Sequence, residues 1–207
     1  MLVVDTDPRR VEAQLAAGRL ACPGCGGRLS RWGFTGLRSV RMRDGEHSIR
    51  LRRGCCCRCG ATHVLLPACL TARRRDGVEV IGDALHRAAF GEGHRRIAER
   101  LGRPPDTVRG WLRAARRNTE PVRACAARWY VALDVESGSV APQRSALGDA
   151  IQALMLMARA WRQRFGPEPI GPWERAQRLT GGVLSPAPAL PPWPSSCAGR
   201  ARARPDR

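Results

Sequence analysis

Two cysteine pairs of the same design constrain this chain more than anything else in it: Cys22-Pro-Gly-Cys25-Gly26 near the start and Cys56-Cys57-Arg58-Cys59-Gly60 about thirty residues later. Tetrahedral Zn²⁺ takes four soft donors, and two Cys-x-x-Cys turns supply two thiolates each. The glycine after the second cysteine of each pair lets the backbone turn tightly beneath a metal, so that amides approach the sulfurs. Cys22, Cys25, Cys56 and Cys59 are therefore the expected ligands of a structural Zn²⁺, and residues 20–67 the expected zinc ribbon. Residues 1–19 form a preceding segment with a short helix.

The run Cys55, Cys56, Cys57, Cys59 allows more than one register. Cys56 with Cys59 reproduces both the two-residue gap and the following glycine, which leaves Cys55 and Cys57 as spectators or substitute ligands. Of the four histidines, His86 and His94 fall in helical patterns and His47 in a turn. His63, just past the second pair, is the one that could substitute at the metal. Cys69, Cys125 and Cys197 stand alone, as small buried hydrophobes usually do. The N-terminus runs from Met1-Leu2-Val3-Val4 into Asp5 and Asp7, so no secretory signal is expected. In a reducing cytoplasm such cysteines are metal ligands more often than disulfides.

Between the pairs, Val40-Arg41-Met42-Arg43 and Ile49-Arg50-Leu51-Arg52 alternate apolar residues with arginine around Asp44-Gly45, the pattern of a β-hairpin. One face is expected to cover the metal site. The other would project Arg41, Arg43, Arg50 and Arg52, either as an ordinary solvated face or as a surface for phosphates.

The charge balance bears on that choice. The chain carries 36 basic residues against 18 acidic ones, a formal net charge of +18, and every basic residue is arginine. A Zn²⁺ held by four thiolates brings this to roughly +16. Residues 1–117 hold 24 arginines and 11 acids, residues 118–207 hold 12 and 7, so the excess lies mainly in the first part. Such a charge favours a polyanionic partner.

That part ends in a second pattern. Asp76-Gly-Val-Glu79 reads as a capping box opening a helix through Phe90, stopped by Gly91-Glu-Gly93. Ile97, Ala98 and Leu101 then lead to Gly102, a turn at Arg103-Pro104, and a helix from Pro105 with Val108, Trp111 and Leu112 at helical spacing. A small residue at the crossing, a turn glycine and an apolar face on the second helix are the requirements of a helix-turn-helix, here residues 76–117. If helix 105–117 enters a major groove, Asp106, Thr107, Arg109, Gly110, Arg113 and Arg117 face outward. Arg109 or Arg113 can pair with guanine, and Asp106 can accept from cytosine or favour the helix N-terminus. Arg95, Arg96, Arg100 and Arg116 are placed to hold phosphates, while Trp111 belongs in the core.

Cys22-Pro-Gly-Cys-Gly-Gly27, Arg52-Arg53, Thr62-His-Val-Leu-Leu-Pro67, Ile97-Ala-Glu-Arg-Leu-Gly102 and Thr107-Val-Arg-Gly-Trp-Leu112 together resemble an uncharacterised bacterial family of zinc-ribbon plus helix-turn-helix proteins. The order of modules is similar to the N-terminal DNA-binding part of insertion-sequence transposases. The resemblance covers residues 20–117 and implies recognition of double-stranded DNA, with a cytoplasmic, nucleoid-associated location in a bacterium. Cys55 and Cys57 depart from the family pattern, which has basic or polar residues there.

After residue 117 the acids Glu120, Asp134, Glu136, Asp149, Glu168, Glu174 and Asp206 are not set among strands, so no two-metal nuclease is expected and the chain is read as a non-enzyme. Residues 119–180 form a helical C-terminal region. One amphipathic helix carries Val122, Cys125, Ala126, Trp129, Tyr130 and Leu133. A linker at 136–144 leads to a second from Ser145 to Phe165 with Leu147, Ile151, Leu154, Met155, Ala158, Trp161 and Phe165 in a stripe, and a short helix follows at Pro172–Leu179. The stripe serves as core or as a homodimer seam. Asp149, Gln152 and Arg159 interrupt it, so it cannot span a membrane. Residues 183–207, rich in proline and arginine, are expected to be disordered.

The fold class expected is thus mainly α with a small β zinc ribbon. The leading functional expectation is a zinc-stabilised, sequence-specific DNA-binding protein, accessory or regulatory. The alternatives are the DNA-targeting subunit of a transposase or recombinase with its catalytic part on another chain, or a ribbon that binds RNA or protein.

Overall fold

The computed structural model describes residues 1–133 and 141–181. Among these it is mixed α/β, with seven helices and two small sheets. The expected tail at 183–207, Cys197 and most of the linker at 136–144 lie outside the described residues.

The first unit begins with β1 (Leu2–Val4) and α1 (Pro8–Ala16). Asp7 caps α1 by accepting from the Arg9 amide at 2.8 Å, and Pro8 suits the first turn. Then come β2 (Leu29–Phe34), β3 (Arg38–Arg41), β4 (Glu46–Ile49), β5 (Arg52–Cys56) and β6 (Thr62–Pro67). One sheet runs β1-β6-β5-β2, with β1 parallel to β6 and the other pairs antiparallel, and β3-β4 forms a separate hairpin. Val11 and Leu15, one helical turn apart on α1, pack with Val4, Leu29 and Leu65 and with Cys22 and Cys56. Residues 1–19 therefore share a core with the cysteine turns.

The hairpin differs from its expected register. Its strands end at Arg41 and Ile49, Arg43 lies in the turn, His47 is in β4, and Arg52 belongs to β5. Its inner residue Val40 packs with Leu51, Leu66 and Leu70 in a second small cluster, away from the cysteines. Two of the four arginines expected in solvent are drawn inward. Arg41 binds buried Asp76 at 2.7 Å, and Arg52 binds Glu12 at 2.7 Å with its side chain 15% exposed. A carboxylate within reach of each guanidinium outweighs its hydration. Arg43 and Arg50 remain exposed.

The helical unit comprises α2 (Val78–Ala89), α3 (His94–Leu101), α4 (Pro105–Arg117), α5 (Thr119–Leu133), α6 (Ala146–Phe165) and α7 (Pro172–Thr180). Apolar residues at spacings of three and four turn one face of each helix inward, giving a single core that includes Ile81 and Leu85, Ile97, Val108 and Trp111, Ala126, Leu154, Met157 and Trp173. Leu147, Ile151, Leu154 and Ala158 of the α6 stripe are buried within this chain. They belong to the core, covered by α5 and α7; Phe165 at the end of the stripe stays exposed. Ser145 caps α6 by accepting from the Gly148 amide at 3.1 Å.

The expected capping box on α2 does not form. Gly77 is the N-cap with no side-chain bond, because Asp76 turns away to Arg41 and Arg103, while Glu79 accepts from the Glu174 amide at 3.2 Å. Asp76, 2% exposed, thereby joins the hairpin to the turn between α3 and α4. The two units are also fastened at the termini. Thr6 donates to Glu174 at 2.5 Å and Arg178 on α7 reaches Asp5 at 3.3 Å.

Candidate metal centre and basic helical face

The two cysteine turns fold alike. The amide of Gly26 donates to the Cys22 carbonyl at 2.8 Å and that of Gly60 to the Cys56 carbonyl at 3.0 Å. The amides of Cys22 and Cys56 then donate to the carbonyls of Gly27 and Ala61 at 2.7 and 2.9 Å. Gly26 and Gly60 both sit at φ 71°, a left-handed conformation that glycine adopts without Cβ strain. Pairing of Leu29 with Cys56 in the β2/β5 ladder lays one turn against the other.

This brings the sulfurs of Cys22, Cys25, Cys56 and Cys59 within 4.8 Å of one another. Cys22 and Cys59 are 3.8 Å apart and Cys25 and Cys56 are 3.5 Å apart. A metal with bonds to sulfur of about 2.3 Å would set tetrahedral S···S edges near 3.8 Å, so the four thiols fit a metal ion of that size. Cys22 and Cys56 are buried and Cys59 is exposed, which leaves one side open for entry.

The local electrostatics match a site that exchanges protons for a cation. The Cys59 amide, and with it that of Arg58, pulls the Cys56 thiol down to about 6. Cys25 moves the other way, to about 12: the Gly27 amide favours its thiolate, but hydrogen bonding with the sulfurs of Cys56 and Cys59 keeps the proton on it. Four crowded sulfurs cannot all ionise beside one another, whereas a divalent cation replaces the shared protons.

The uncertain register resolves in the geometry. Cys55 points to the Gly60 carbonyl at 3.4 Å and Cys57 is exposed, so neither joins the cluster. His63 stands one layer out, with Nε2 3.3 Å from the Cys22 sulfur and Nδ1 3.4 Å from the N-terminal amine. Burial, and then the charge of that amine, hold its pKa below the usual imidazole value. It can orient Cys22 as an outer partner. Gly27 also proves necessary: a Cβ there would lie 2.6 Å from the Arg58 Cβ and 2.9 Å from the Cys56 sulfur. The doubled glycine of Cys-Pro-Gly-Cys-Gly-Gly carried that signal.

The second group of expected residues gathers on α3 and α4. Gly102, at φ 60°, ends α3 in the left-handed conformation, and Pro105 opens α4. Ala98 lies in the core with Val108 and Trp111. Arg95, Arg96 and Arg100 on α3, and Asp106, Arg109, Arg113, Arg116 and Arg117 on α4, are exposed, while Thr107 is half-buried. Arg100 pairs with Glu92 at 2.8 Å and Arg109 with Asp106 at 3.1 Å. Among the described residues, Arg95, Arg96, Arg113, Arg116 and Arg117 pair with no carboxylate. Arg109, Arg113, Arg116 and Arg117 line one cleft with His94 and Leu112, between α4 and the start of α3. The hairpin does not extend this surface through Arg41 or Arg52, which are held in ion pairs. Arg43 donates to the Glu79 carbonyl at 3.3 Å.

Asp76 and Arg103, which set the hairpin against this two-helix unit, are not singled out by any sequence pattern for a site. The one available signal is an acid closing the run Arg73-Arg74-Arg75.

Residues 22–100 match a family described as a domain of unknown function, DUF6431. The match takes in both cysteine turns, α2 and nearly all of α3, and amounts to under half of the chain. No curated protein and no solved structure matches the chain. Among the described residues, no helix is long and apolar enough to cross a membrane.

Proposed function

We propose that the chain is a zinc-stabilised, sequence-specific binder of double-stranded DNA, with α4 as the recognition helix. The observation that carries this reading is the outer face of α3 and α4, where five arginines without a carboxylate partner among the described residues project from a two-helix unit packed on its inner face. A helix of thirteen residues anchored by Trp111 is rigid enough to be laid in a major groove. Arg109 and Arg113 read bases, and Arg95, Arg96, Arg100, Arg116 and Arg117 hold phosphates. Arg109 exchanges its Asp106 partner for a base on binding, and Thr107 lies beside it at the helix start.

Zn²⁺ is the metal we assign to Cys22, Cys25, Cys56 and Cys59, since four thiolates at tetrahedral spacing suit a soft, closed, structural site. Its role is to hold the two cysteine turns together and, through them, β2 against β5. The order of a four-cysteine unit followed by a two-helix unit supports a relation to the recognition part of insertion-sequence transposases, and we place the chain there as an accessory or regulatory factor.

Selection from a random duplex pool with the zinc-loaded chain tests this. One enriched motif is expected, with affinity falling as salt rises; five phosphate contacts give a log–log slope of about −4.5. An unenriched pool, or structured RNA competing better than duplex at equal salt, contradicts the reading.

A further inference from the structure

The four-stranded sheet carries a surface that duplex recognition by α4 leaves unused. Trp32, Phe34 and Leu37 are 56%, 57% and 63% exposed along edge strand β2 and the loop after it. The β2/β5 ladder slips between Arg31 and Phe34, with Gly33 in the left-handed region at φ 99°, so the chain bulges at the two rings. The Arg52 guanidinium lies 4.6 Å from the Phe34 ring centroid and donates to the Gly33 carbonyl at 3.2 Å. Glu12 clamps the arrangement, taking Arg52 at 2.7 Å through one oxygen and Arg31 at 2.9 Å through the other. Phe34 is thus backed by a fixed cation while more than half of it faces water, and Trp32 has no ring partner among the described residues.

Cations flank the rings. Arg31 is 57% exposed, and Arg50, also exposed, follows Ile49, which pairs with Arg38 beside Leu37. An apolar protein partner would have to desolvate these guanidinium groups, whereas a ligand with flat π faces and negative charge satisfies rings and cations together. Bases on a phosphate backbone are such a ligand. In a duplex their faces are covered by stacking, so the occupant is unpaired.

We propose that the Trp32–Phe34 edge binds single-stranded DNA, stacking unpaired bases on the two rings while Arg31 and Arg50 meet the phosphates. The surface is separate from α4 and does not depend on it.

Fluorescence anisotropy of a labelled oligothymidine, of about a dozen nucleotides, read with the zinc-loaded full chain, tests the assignment. The double variant Trp32→Ala/Phe34→Ala is expected to lose about tenfold or more in affinity for it, while binding of a selected duplex and metal content stay unchanged. Trp32→Phe restores most of the loss. Glu12→Gln, which keeps both rings and frees both Arg31 and Arg52 from their shared carboxylate for a phosphate, raises affinity and remains informative if the double variant fails to fold. Oligothymidine affinity within twofold of wild type in the double variant, or unchanged in Glu12→Gln, overturns the proposal. So does equal loss on the duplex, tighter binding of oligouridine than of oligothymidine, or a wild-type dimer that Trp32→Ala converts to monomer. Arg113→Ala serves as the reciprocal control, because it weakens duplex binding and leaves oligothymidine binding intact; failure of one surface is thereby distinguished from failure of the other.

Discussion

Asp76 Oδ1 accepts from Arg103 Nε at 2.6 Å while its Oδ2 accepts from Arg41 at 2.7 Å. One buried carboxylate therefore ties the turn between α3 and α4 to the β3-β4 hairpin. The backbone reinforces it, since the Gly77 amide donates to the Arg41 carbonyl at 2.9 Å and the Arg41 amide to the Arg75 carbonyl at 2.6 Å.

Asp76→Asn leaves two guanidinium groups facing a neutral amide in a mostly buried site. Breaking a buried ion pair from one side costs about 3 kcal/mol or more. Urea unfolding of the zinc-loaded variant should show this loss, and limited proteolysis should cut between β6 and α2 faster than in wild type. Wild-type stability in the variant would mean that the carboxylate only fills space.

Removing the metal should affect the two units unequally. Binding at a structural Zn²⁺ site is worth on the order of 10 kcal/mol, and the β1–β6 unit has only the small clusters around Leu29 and Val40 besides it. The helices have their own core. Chelation, or Cys59→Ser, should strip hydrogen-exchange protection from residues 1–67 and leave α2–α7 largely protected. Uniform loss of protection would show one cooperative unit instead.

On the helical face, Arg113→Ala and Arg109→Ala should separate two kinds of contact. Arg113, without a carboxylate partner among the described residues, should lose about 1–3 kcal/mol of discrimination at one base pair, with nonspecific binding retained. Arg109 must first leave Asp106, so its alanine variant should lose less. Arg116→Ala should weaken every duplex about equally and make the salt slope about 0.9 shallower. Selection and salt titration on each variant read these outcomes directly.

Gly82 on α2 is packed beneath Trp173, where an added Cβ would lie 2.2 Å from the indole. Alanine gains about 1 kcal/mol of helix propensity over glycine, yet a rigid, 4%-exposed ring cannot withdraw easily. Overpacking of this kind costs about 1–3 kcal/mol, so Gly82→Ala should lower the Tm, and a rise would mean that α7 shifts freely.

Glu174 is buried on α7, and desolvation raises its carboxyl pKa against the opposing help of the Thr6 hydroxyl and Arg178. A raised folded-state pKa stabilises fully below the ordinary carboxylate value and is lost as pH rises through the raised one. Docking of α7 should therefore be firmer in mild acid than at neutral pH. Glu174→Gln, which keeps an acceptor for Thr6, should raise stability at pH 7 and flatten this part of the pH profile. A variant less stable than wild type at pH 7 would assign the carboxylate's charge a net favourable role.

Features set by neighbours in the chain were legible in the sequence. Cys22, Cys25, Cys56 and Cys59 stood out because metal spacing is local, and α3, its turn and α4 because Ala98, Gly102, Val108 and Trp111 lie within fifteen residues. Pairing across long separations was not legible. β1 lies parallel to β6 because Leu2 finds Leu65, a choice that three apolar residues near the start do not encode alone. The capping box misled for a related reason: Asp76 meets a helical amide in its own segment but two arginines in the folded chain, and charge wins over a neutral cap. Arg41 and Arg52 likewise read as solvent-facing in the alternating pattern, and distant carboxylates drew them inward.

The fastening of the two ends has a consequence for synthesis. Asp5 and Arg178 are 173 residues apart, and Thr6 and Glu174 are separated by 168. At translation rates of about 5–20 residues per second, a ribosome delivers α7 roughly 10–35 s after β1. During that interval the nascent N-terminal strand can pair with β6 and take up metal, but it lacks the helix that closes over Asp5 and Thr6. Among the described elements, the last one made is thus the one that secures the first.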